Sequence, residues 1–246
     1  RMTDLKEVAQ LASEEFLRDG VRVFEVPAKQ LFEHDDQGTL IVLRAAASNR
    51  RELARMALEF EGCQFDNSGV SLRKSLALNG DSSLLYATGC KVVCAIKVEA
   101  GRPRMIAFAL VMSLRAQVLE SSVVRALEKG LGELPRKALY LELICAENNT
   151  GGGSLLLLRL LSKLSTASCA DGIVAQTVNN GSKKLFKKHR YVALTPNVFH
   201  LTKATAVNHL DTYKTQILST TTATRALCTR NGATANTSRR TFWDCR

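Results

Sequence analysis

The segment best suited to chemistry runs from Leu143 to Ser154, with the sequence LICAENNTGGGS. A strand pattern passes through three consecutive glycines directly into a helical pattern. Glycine lets the backbone approach a ligand closely, and the free N–H groups of a first helical turn attract anions. The segment therefore predicts a phosphate-binding turn, although a simple glycine-rich connection fits the same residues. It is not a Walker loop, because no Lys-Ser or Lys-Thr pair follows the glycines.

A second segment, NNGSKKLFKKHRY, runs from Asn179 to Tyr191 and follows another strand pattern. Together the two segments resemble the GNAT superfamily of acyl-CoA-dependent N-acetyltransferases. Asn148 to Gly153 is similar to the family's (Gln/Arg)-x-x-Gly-x-(Gly/Ala) turn, with Asn at the first position. Asn179, Phe186 and Tyr191 keep the family's spacing of an asparagine and two aromatics. The resemblance covers about residues 38–203, and only these two motifs are specific.

The resemblance implies acetyl-CoA as the co-substrate, whose acyl group an amine attacks directly at the thioester. It implies a cofactor site formed by Leu143, Cys145, Asn148, Asn149, Thr150, Gly151, Gly152, Gly153, Ser154, Asn179, Ser182 and Phe186. A backbone N–H group of a splayed strand, at Ile144 or Cys145, would polarise the thioester oxygen. A carboxylate or a water chain would take the amine proton.

Glu142 and Glu147 are the carboxylates nearest to this strand in the sequence. Glu142 interrupts an apolar strand, where an unpaired charge is costly, so it is either a catalytic base or an outward-facing strand residue. Glu147 is expected to cap or solvate the turn. Cys145 has no histidine at a recognisable partner spacing, so we expect a buried strand cysteine rather than a nucleophile.

Two residues depart from the family pattern. Phe186 stands where a tyrosine often protonates the leaving thiolate, and it has no hydroxyl to do so. Arg190 stands where glycine usually precedes the last aromatic. The turn there is therefore expected to be built differently, or to have a negative φ.

The elements that must position these residues alternate between strand and helix patterns. Strands are predicted at 39–44, 91–98, 105–114, 138–145, 173–178, 191–194 and 198–201, and helices at 49–60, 121–131, 154–164 and 181–189. Asn49 is a plausible cap of the first helix. The resemblance implies that Ile41 to Arg44 is the family's opening strand and Met105 to Leu110 part of its central hairpin. The predicted fold class is α/β or α+β, a GNAT-like, mostly antiparallel mixed sheet flanked by helices.

The two ends of the chain differ from its middle. Residues 1–37 are predicted to be an N-terminal extension, with an amphipathic helix before Gly20 and a possible strand from Val21 to Val26. Residues 38–204 form the expected acyltransferase domain. Residues 205–246 are rich in threonine and lack apolar periodicity, which predicts a disordered tail.

The amino-acid composition limits the classes of protein to which the chain can belong. The 246 residues are 46% hydrophobic with a net charge of +11, which indicates a globular protein with anionic partners. No apolar run approaches a membrane span of about 18 residues, so no membrane partner is expected. The seven cysteines lack zinc-ligand spacing, which predicts reduced thiols, no metal site and an intracellular location, cytoplasmic or nuclear.

Three functions remain open at this point. The resemblance implies an N-acyltransferase that acts on an amine of a protein or small molecule. A catalytically degenerate CoA-binding or scaffold protein is the alternative, supported by Phe186. A nucleic-acid-binding protein would explain the basic cluster of residues 183–190, but a single aromatic, Phe186, lies within it, so nucleic acid is disfavoured as a partner.

Overall fold

The computed structural model describes residues 20–37, 40–60, 89–114, 119–135, 137–166, 170–177 and 179–213. The strands are β1 (Val21–Pro27), β2 (Phe32–His34), β3 (Leu40–Val42), β4 (Lys91–Glu99), β5 (Arg102–Ser113), β6 (Ala138–Ala146), β7 (Gly172–Gln176), β8 (Val192–Ala193) and β9 (Val198–Thr202). The helices are α1 (Ser48–Leu58), α2 (Ser121–Leu131), α3 (Gly152–Thr166), α4 (Asn180–Lys188) and α5 (203–213).

Seven strands form one sheet in the order β1-β4-β5-β6-β7-β9-β8. All neighbouring pairs are antiparallel except β6 and β7, which run parallel. This parallel pair is joined through α3, as a parallel connection requires a crossover. The predicted fold class, a mostly antiparallel mixed sheet flanked by helices, is confirmed.

The sheet separates two hydrophobic cores. On one face, α1 and α2 bury Leu53, Val123 and Leu127 against β4 to β6. On the other face, α3, α4 and α5 pack over the sheet, and α3 supplies seven buried leucines: Leu155, Leu156, Leu157, Leu158, Leu160, Leu161 and Leu164. Leucines surround most of α3 because the helix lies between the sheet and its neighbouring helices. We call these the α1/α2 face and the α3/α4 face.

The N-terminal boundary of the domain differs from the prediction. The strand expected at Val21 to Val26 is present, but it belongs to the main sheet, where Val21–Pro27 pairs antiparallel with Lys91–Lys97 of β4. Leu40–Val42 pairs instead with Phe32–His34 in a separate two-stranded sheet. The placement of residues 41–44 as the opening strand of the central sheet is therefore wrong. The predicted helix before Gly20 lies outside the described residues.

The start of helix α1 differs from the sequence prediction, whereas the end of helix α2 agrees with it. Helix α1 begins at Ser48, and the cap position, Ala47, offers no side-chain hydrogen bond. Asn49 lies inside the helix, where its Oδ1 accepts from the N–H of Arg50 at 2.7 Å, so the predicted Asn cap is wrong. Helix α2 ends as predicted, at Gly132 with a φ of 82°.

The predicted disordered tail is wrong for residues 205–213, which belong to helix α5. Ala206 and Leu210 are buried in the core of the α3/α4 face. His209 Nε2 lies 3.2 Å from His189 Nδ1, so the helix is also tied to the end of α4. The segment has too few apolar residues to show a helical pattern in the sequence, because this helix is stabilised by tertiary packing. Residues 214–246 lie outside the described part.

Two truncations test whether α5 contributes to stability. A chain that ends after Thr202 is expected to melt at least ~5 °C below a chain that ends after Tyr213, because it loses the burial of Leu210 and Ala206. The comparison of the two truncated chains isolates α5 from the residues beyond it. Equal melting temperatures, measured by circular dichroism, would show that α5 adds no stability.

Candidate active site

The glycine-containing turn between β6 and α3 is held by hydrogen bonds among its own residues. Thr150 Oγ1 donates to the carbonyl oxygen of Glu147 at 2.9 Å and accepts from the N–H of Gly152 at 3.3 Å. Asn149 and Gly151 adopt left-handed φ values of 62° and 73°. Asparagine and glycine are the residues that tolerate this region best. The local sequence thus fixes where the turn ends and where α3 begins.

The first turn of α3 leaves backbone donors available. The N–H of Leu155 reaches the carbonyl oxygen of Gly151 at 3.2 Å, and Thr150 caps Gly152. Among the described residues, the N–H groups of Gly153 and Ser154 have no hydrogen-bond acceptor. Lys188 of α4 adds a positive charge beside them, since its Nζ lies 3.4 Å from Ser154 Oγ. This arrangement suits a bound anion.

The three glycines of the turn have different roles. Gly151 has open space at its Cβ position but needs its positive φ. A Cβ on Gly152 would approach Ala107 Cβ to 2.8 Å, and one on Gly153 would approach Leu185 Cδ2 to 3.1 Å. Gly152 and Gly153 therefore let α3 pack closely on β5 and α4. A substitution at either position would disturb this packing as well as any ligand binding, so the two effects could not be separated.

Strands β6 and β7 separate beside this turn. They pair over Ala138–Leu141 and Gly172–Ala175, and in the part of the chain that the structure describes no strand pairs with residues 142–146 on that side. The N–H of Glu147 bonds to the carbonyl oxygen of Ile106 on β5, and backbone groups two residues apart point the same way. The N–H of Cys145 thus faces β5, whereas that of Ile144 faces the gap. Strand geometry favours Ile144 over Cys145 as the donor to a ligand.

Glu142 lies where β6 leaves β7. The register between β5 and β6 shifts between Leu110 and Val111, so Glu142 is an extra residue, a β-bulge. It shares the α1/α2 face with Tyr140. Burial raises the pKa of Glu142, the neighbouring Tyr140 hydroxyl lowers it, and the charge of Glu120 raises it. The net result is a carboxylate more basic than an ordinary glutamate.

The residues around the turn include exposed, buried and ion-paired side chains. Asn148 and Asn149 are exposed, and the side chains of Leu143 and Cys145 point into the α1/α2 core. Glu147 pairs with Arg104 of β5 at 2.9 Å. Its carboxylate is therefore held beside the turn by an ion pair.

The cysteines differ from the predicted set of reduced thiols. Cys90 and Cys94 are free and buried. Cys145, however, is disulfide-bonded. A sulfur held in a disulfide is not a thiolate nucleophile. No group of three or more His, Cys, Asp or Glu residues in the described ranges is arranged to hold a metal ion.

Asn179 and Ser182 are brought together at the start of α4. Asn179 is the N-cap, and its Oδ1 accepts from the N–H of Ser182 at 2.7 Å. The cap fixes the N-terminus of α4 at the end of β7, on the strand that borders the gap. The described hydrogen bond uses the Asn179 oxygen for the helix, which leaves its amide nitrogen as the group that could donate to a ligand.

Phe186 is fully buried in the α3/α4 core. Its ring centroid lies 5.1 Å from that of Tyr191 and 5.4 Å from that of Phe199. A ligand cannot reach this ring without opening the core, so the structure does not support Phe186 as a cofactor contact. The spacing of Asn179, Phe186 and Tyr191 instead reflects a cap followed by two core aromatics.

Phe186→Tyr is therefore expected to destabilise the protein by about 1–3 kcal/mol, the cost of a buried hydroxyl without a partner. The Tyr191 hydroxyl already lies buried nearby without a described hydrogen bond. Urea denaturation of the wild type and the variant measures the difference. An unchanged free energy of unfolding would mean that position 186 has a polar partner or access to solvent.

Arg190 has a φ of 66°, so the turn after α4 keeps the left-handed backbone that glycine usually provides. The predicted negative φ is wrong. The N–H groups of Arg190 and Tyr191 bond to the carbonyl oxygens of Lys187 and Phe186, and these bonds hold the turn. The strain of a non-glycine residue is offset by this tight helix end.

Sequence reasoning missed three linked polar residues, Tyr140, Gln176 and Glu120, the first of which lies two positions before Glu142 on β6. Tyr140 donates to Gln176 Oε1 at 3.3 Å, and Gln176 Nε2 donates to Glu120 Oε2 at 3.2 Å. Glu120 and Gln176 are 56 residues apart, so only the sheet topology brings them together. A polar residue at the end of an apolar strand, such as Gln176, is the sole hint the sequence offers.

No protein-family model and no curated protein sequence matches the chain. Solved structures that it resembles include a tyrosine-to-phenylalanine mutant of the toxin AtaT bound to the C-terminus of its antitoxin AtaR and acetyl-CoA. That likeness has 8% identity, a TM-score of 0.44, and covers 76% of this chain and 96% of the other. A mutant of the toxin KacT has 13% identity, a TM-score of 0.39, and coverage of 62% and 94%.

A third such structure is AtaT complexed with acetyl-methionyl-tRNAfMet, with 11% identity, a TM-score of 0.36, and coverage of 53% and 83%. These similarities concern the fold alone. No helix among the described residues is long and apolar enough to cross a membrane.

Proposed function

We propose that this chain is an acyl-CoA-dependent N-acyltransferase that uses acetyl-CoA as its co-substrate. The observation that carries the proposal is the separation of β6 from β7 directly beside a helix N-terminus with unpaired N–H groups. A gap between two strands accepts an extended ligand, and the helix start accepts its phosphates. Coenzyme A combines an extended pantetheine arm with a diphosphate, so it suits both features.

In this proposal the diphosphate binds at the start of α3. The N–H groups of Gly153 and Ser154 donate to its oxygens, and Lys188 contributes a positive charge. The basic residues Lys183, Lys184, Lys187 and Arg190 of the same region favour the anionic end of the ligand. Asn179 borders the pantetheine arm through its amide nitrogen.

The reaction is a direct transfer. The amine nitrogen attacks the thioester carbonyl carbon, a C–N bond forms, and the C–S bond breaks. The N–H of Ile144 stabilises the negative charge that develops on the carbonyl oxygen. Glu142 accepts the proton that the attacking nitrogen loses, and the coenzyme A thiolate takes a proton from water. Binding both reactants in one gap supplies the high effective concentration that the step needs.

The acceptor is an amine of a protein or a small molecule. Glu142 lies on the α1/α2 face of the sheet, so the amine approaches from that side. The coenzyme binds toward the α3/α4 face, where α3 begins. An intracellular location, cytoplasmic or nuclear, belongs to the same proposal, because coenzyme A thioesters are intracellular metabolites.

A second candidate function is a CoA-binding protein without catalysis. The observation that favours it is that position 186 holds a phenylalanine, which has no hydroxyl to protonate a leaving thiolate. Such a protein would keep the glycine-containing turn and lose the need for a basic Glu142. The two candidates agree on ligand binding and differ on turnover.

The test incubates the full chain with acetyl-CoA and a panel of amines: small diamines, amino-acid amides and lysine-containing peptides. Free thiol release and the mass of the product are followed together. Amine-dependent thiol release with a matching acetylated product supports the enzyme. Binding of acetyl-CoA by calorimetry, with no product from any amine, favours the non-catalytic protein, and absence of binding rejects both.

A further inference from the structure

Side chains connect strands β6 and β7 at the point where the pairing of these strands ends. Leu141 and Ala175 are the last pair that the structure describes, and Gln176 is the final residue of β7. Tyr140 lies on β6 directly before Leu141, and its hydroxyl donates to Gln176 Oε1 at 3.3 Å. This side-chain hydrogen bond therefore crosses from one strand to the other beside the last backbone pair.

The same glutamine also contacts the residue that precedes helix α2. Gln176 Nε2 donates to Glu120 Oε2 at 3.2 Å, and Ser122 Oγ donates to the same oxygen at 3.3 Å. Glu120 occupies the cap position of α2, yet its side chain makes no capping hydrogen bond with that helix. Its carboxylate is oriented toward β7 instead, so a single amide connects β6, β7 and the start of α2.

The orientation of the Gln176 amide follows from these partners. A carboxylate only accepts hydrogen bonds, so the amide nitrogen faces Glu120 and the amide oxygen faces Tyr140. Tyr140 is buried, and burial raises the pKa of its hydroxyl, which therefore remains a neutral donor. Because both ends of the amide are paired, rotation of the Gln176 side chain away from this position would break both hydrogen bonds.

The end of β7 borders the gap that the proposed function assigns to the ligand. On its other edge, Gln176 pairs with Val198 of β9, whereas no strand among the described residues pairs with residues 142–146 on the β7 side. Three residues after Gln176, Asn179 caps helix α4. A shift of the end of β7 would therefore change the width of the gap and move the Asn179 amide that borders it.

We propose that Tyr140, Gln176 and Glu120 are positioning residues that fix the point at which β6 and β7 separate. These three residues are called the strand bridge below. The strand bridge holds the end of β7 at a set distance from β6, so the gap exists before the ligand arrives. A preformed gap binds an extended ligand more tightly than one that must first be ordered. This inference deepens the proposed function and rests on it for the identity of the ligand.

Tyr140→Phe and Gln176→Leu are each expected to weaken acetyl-CoA binding by about tenfold, the size of one lost hydrogen bond. Adenosine 3′-phosphate 5′-diphosphate, the part of coenzyme A without the pantetheine arm, should bind within about twofold of its wild-type affinity. The fragment reaches only the start of α3 and does not enter the gap. Isothermal titration calorimetry measures both affinities. General damage to the fold would weaken both ligands alike, so equal losses, or an unchanged affinity for acetyl-CoA, would overturn the inference.

Two variants of Glu120 provide a matched comparison. Glu120→Gln keeps an oxygen that can accept from Gln176 Nε2, whereas Glu120→Ala removes it. We expect the glutamine variant to bind acetyl-CoA as the wild type does and the alanine variant to bind it more weakly. The loss should be smaller than in Tyr140→Phe, because the contact with Glu120 is exposed. Equal losses in both Glu120 variants would show that the charge of Glu120 acts, and not its hydrogen bond to the strand bridge.

A measurement without any ligand separates the strand bridge from the proposed function. Amide hydrogen exchange, followed by NMR, reports how often the paired residues 139–141 and 173–175 open. In Tyr140→Phe and Gln176→Leu these amides are expected to exchange about tenfold faster, while the amides paired between β4 and β5 keep their rates. Faster exchange confined to this pair of strands supports the strand bridge even if acetyl-CoA does not bind. Unchanged exchange overturns it, whatever ligand binds.

Discussion

Ser154→Glu is expected to weaken acetyl-CoA binding by about a hundredfold while the fold is kept. The added carboxylate would lie at the first turn of α3, beside the free N–H groups that the diphosphate is proposed to use. Two unit charges about 5 Å apart repel by ~3 kcal/mol at an effective dielectric constant of about 20, which is roughly a hundredfold in affinity. Isothermal titration calorimetry measures the loss.

The stability of the same variant changes in the other direction. A negative charge near a helix N-terminus stabilises the helix by about 0.3–1 kcal/mol. Ser154 is only partly buried, so a longer side chain has room to reach solvent. Ser154→Gln is the matched control, because it has the same size without the charge, and its affinity should fall far less. Equal affinities of the glutamate and glutamine variants would place the phosphates elsewhere.

Glu142→Gln is expected to lower kcat by about 10²–10⁴-fold, the usual contribution of a general base. Acetyl-CoA affinity should stay within a few fold, because Glu142 lies on the opposite side of the sheet from the start of α3. The folded state should keep or gain stability, since burial already disfavours the charged form of this carboxylate. Single-turnover kinetics with saturating acetyl-CoA measures the chemical step.

The control for that variant is Glu99→Gln, which removes an exposed carboxylate at the β4–β5 turn. It should leave kcat within a few fold. A Glu142→Gln enzyme with the turnover of the wild type would show that another group, or a chain of waters, accepts the amine proton. The glycine-containing turn would still stand as a binding site, but Glu142 would lose its proposed role.

Most elements of the fold were predictable because their signals are local. The hairpin of β4 and β5, the strand β6 and the helices α2 and α3 follow from apolar periodicity and from glycine at their ends. The errors concern long-range pairing. Nothing in residues 21–27 indicates that they pair with β4, which lies more than 60 residues later. Helix α5 was missed because only Ala206 and Leu210 are fully buried in it.

The candidate site likewise contains features that the local sequence predicts and features that depend on long-range pairing. The turn that ends at Gly151 is encoded within a few residues, because asparagine and glycine permit the left-handed backbone it needs. The bulge at Glu142 depends on the register with β5, which the sequence of β6 does not contain. The role of Phe186 is hard to predict for a related reason. A core aromatic and a ligand-facing aromatic occupy the same position along α4, and only the packing of Tyr191 and Phe199 distinguishes them.

Amide resonances of the ¹⁵N-labelled chain, titrated with acetyl-CoA, report whether one ligand binds both the start of α3 and the gap beside β6. We expect the resonances of Ile144, Gly153 and Ser154 to shift together and to saturate with one dissociation constant, since their N–H groups are proposed to bind one ligand. Cys145 should respond less, because its N–H faces β5. Acetyl-CoA that leaves these three resonances unmoved, or that shifts only the lysines of α4, would contradict the proposed site.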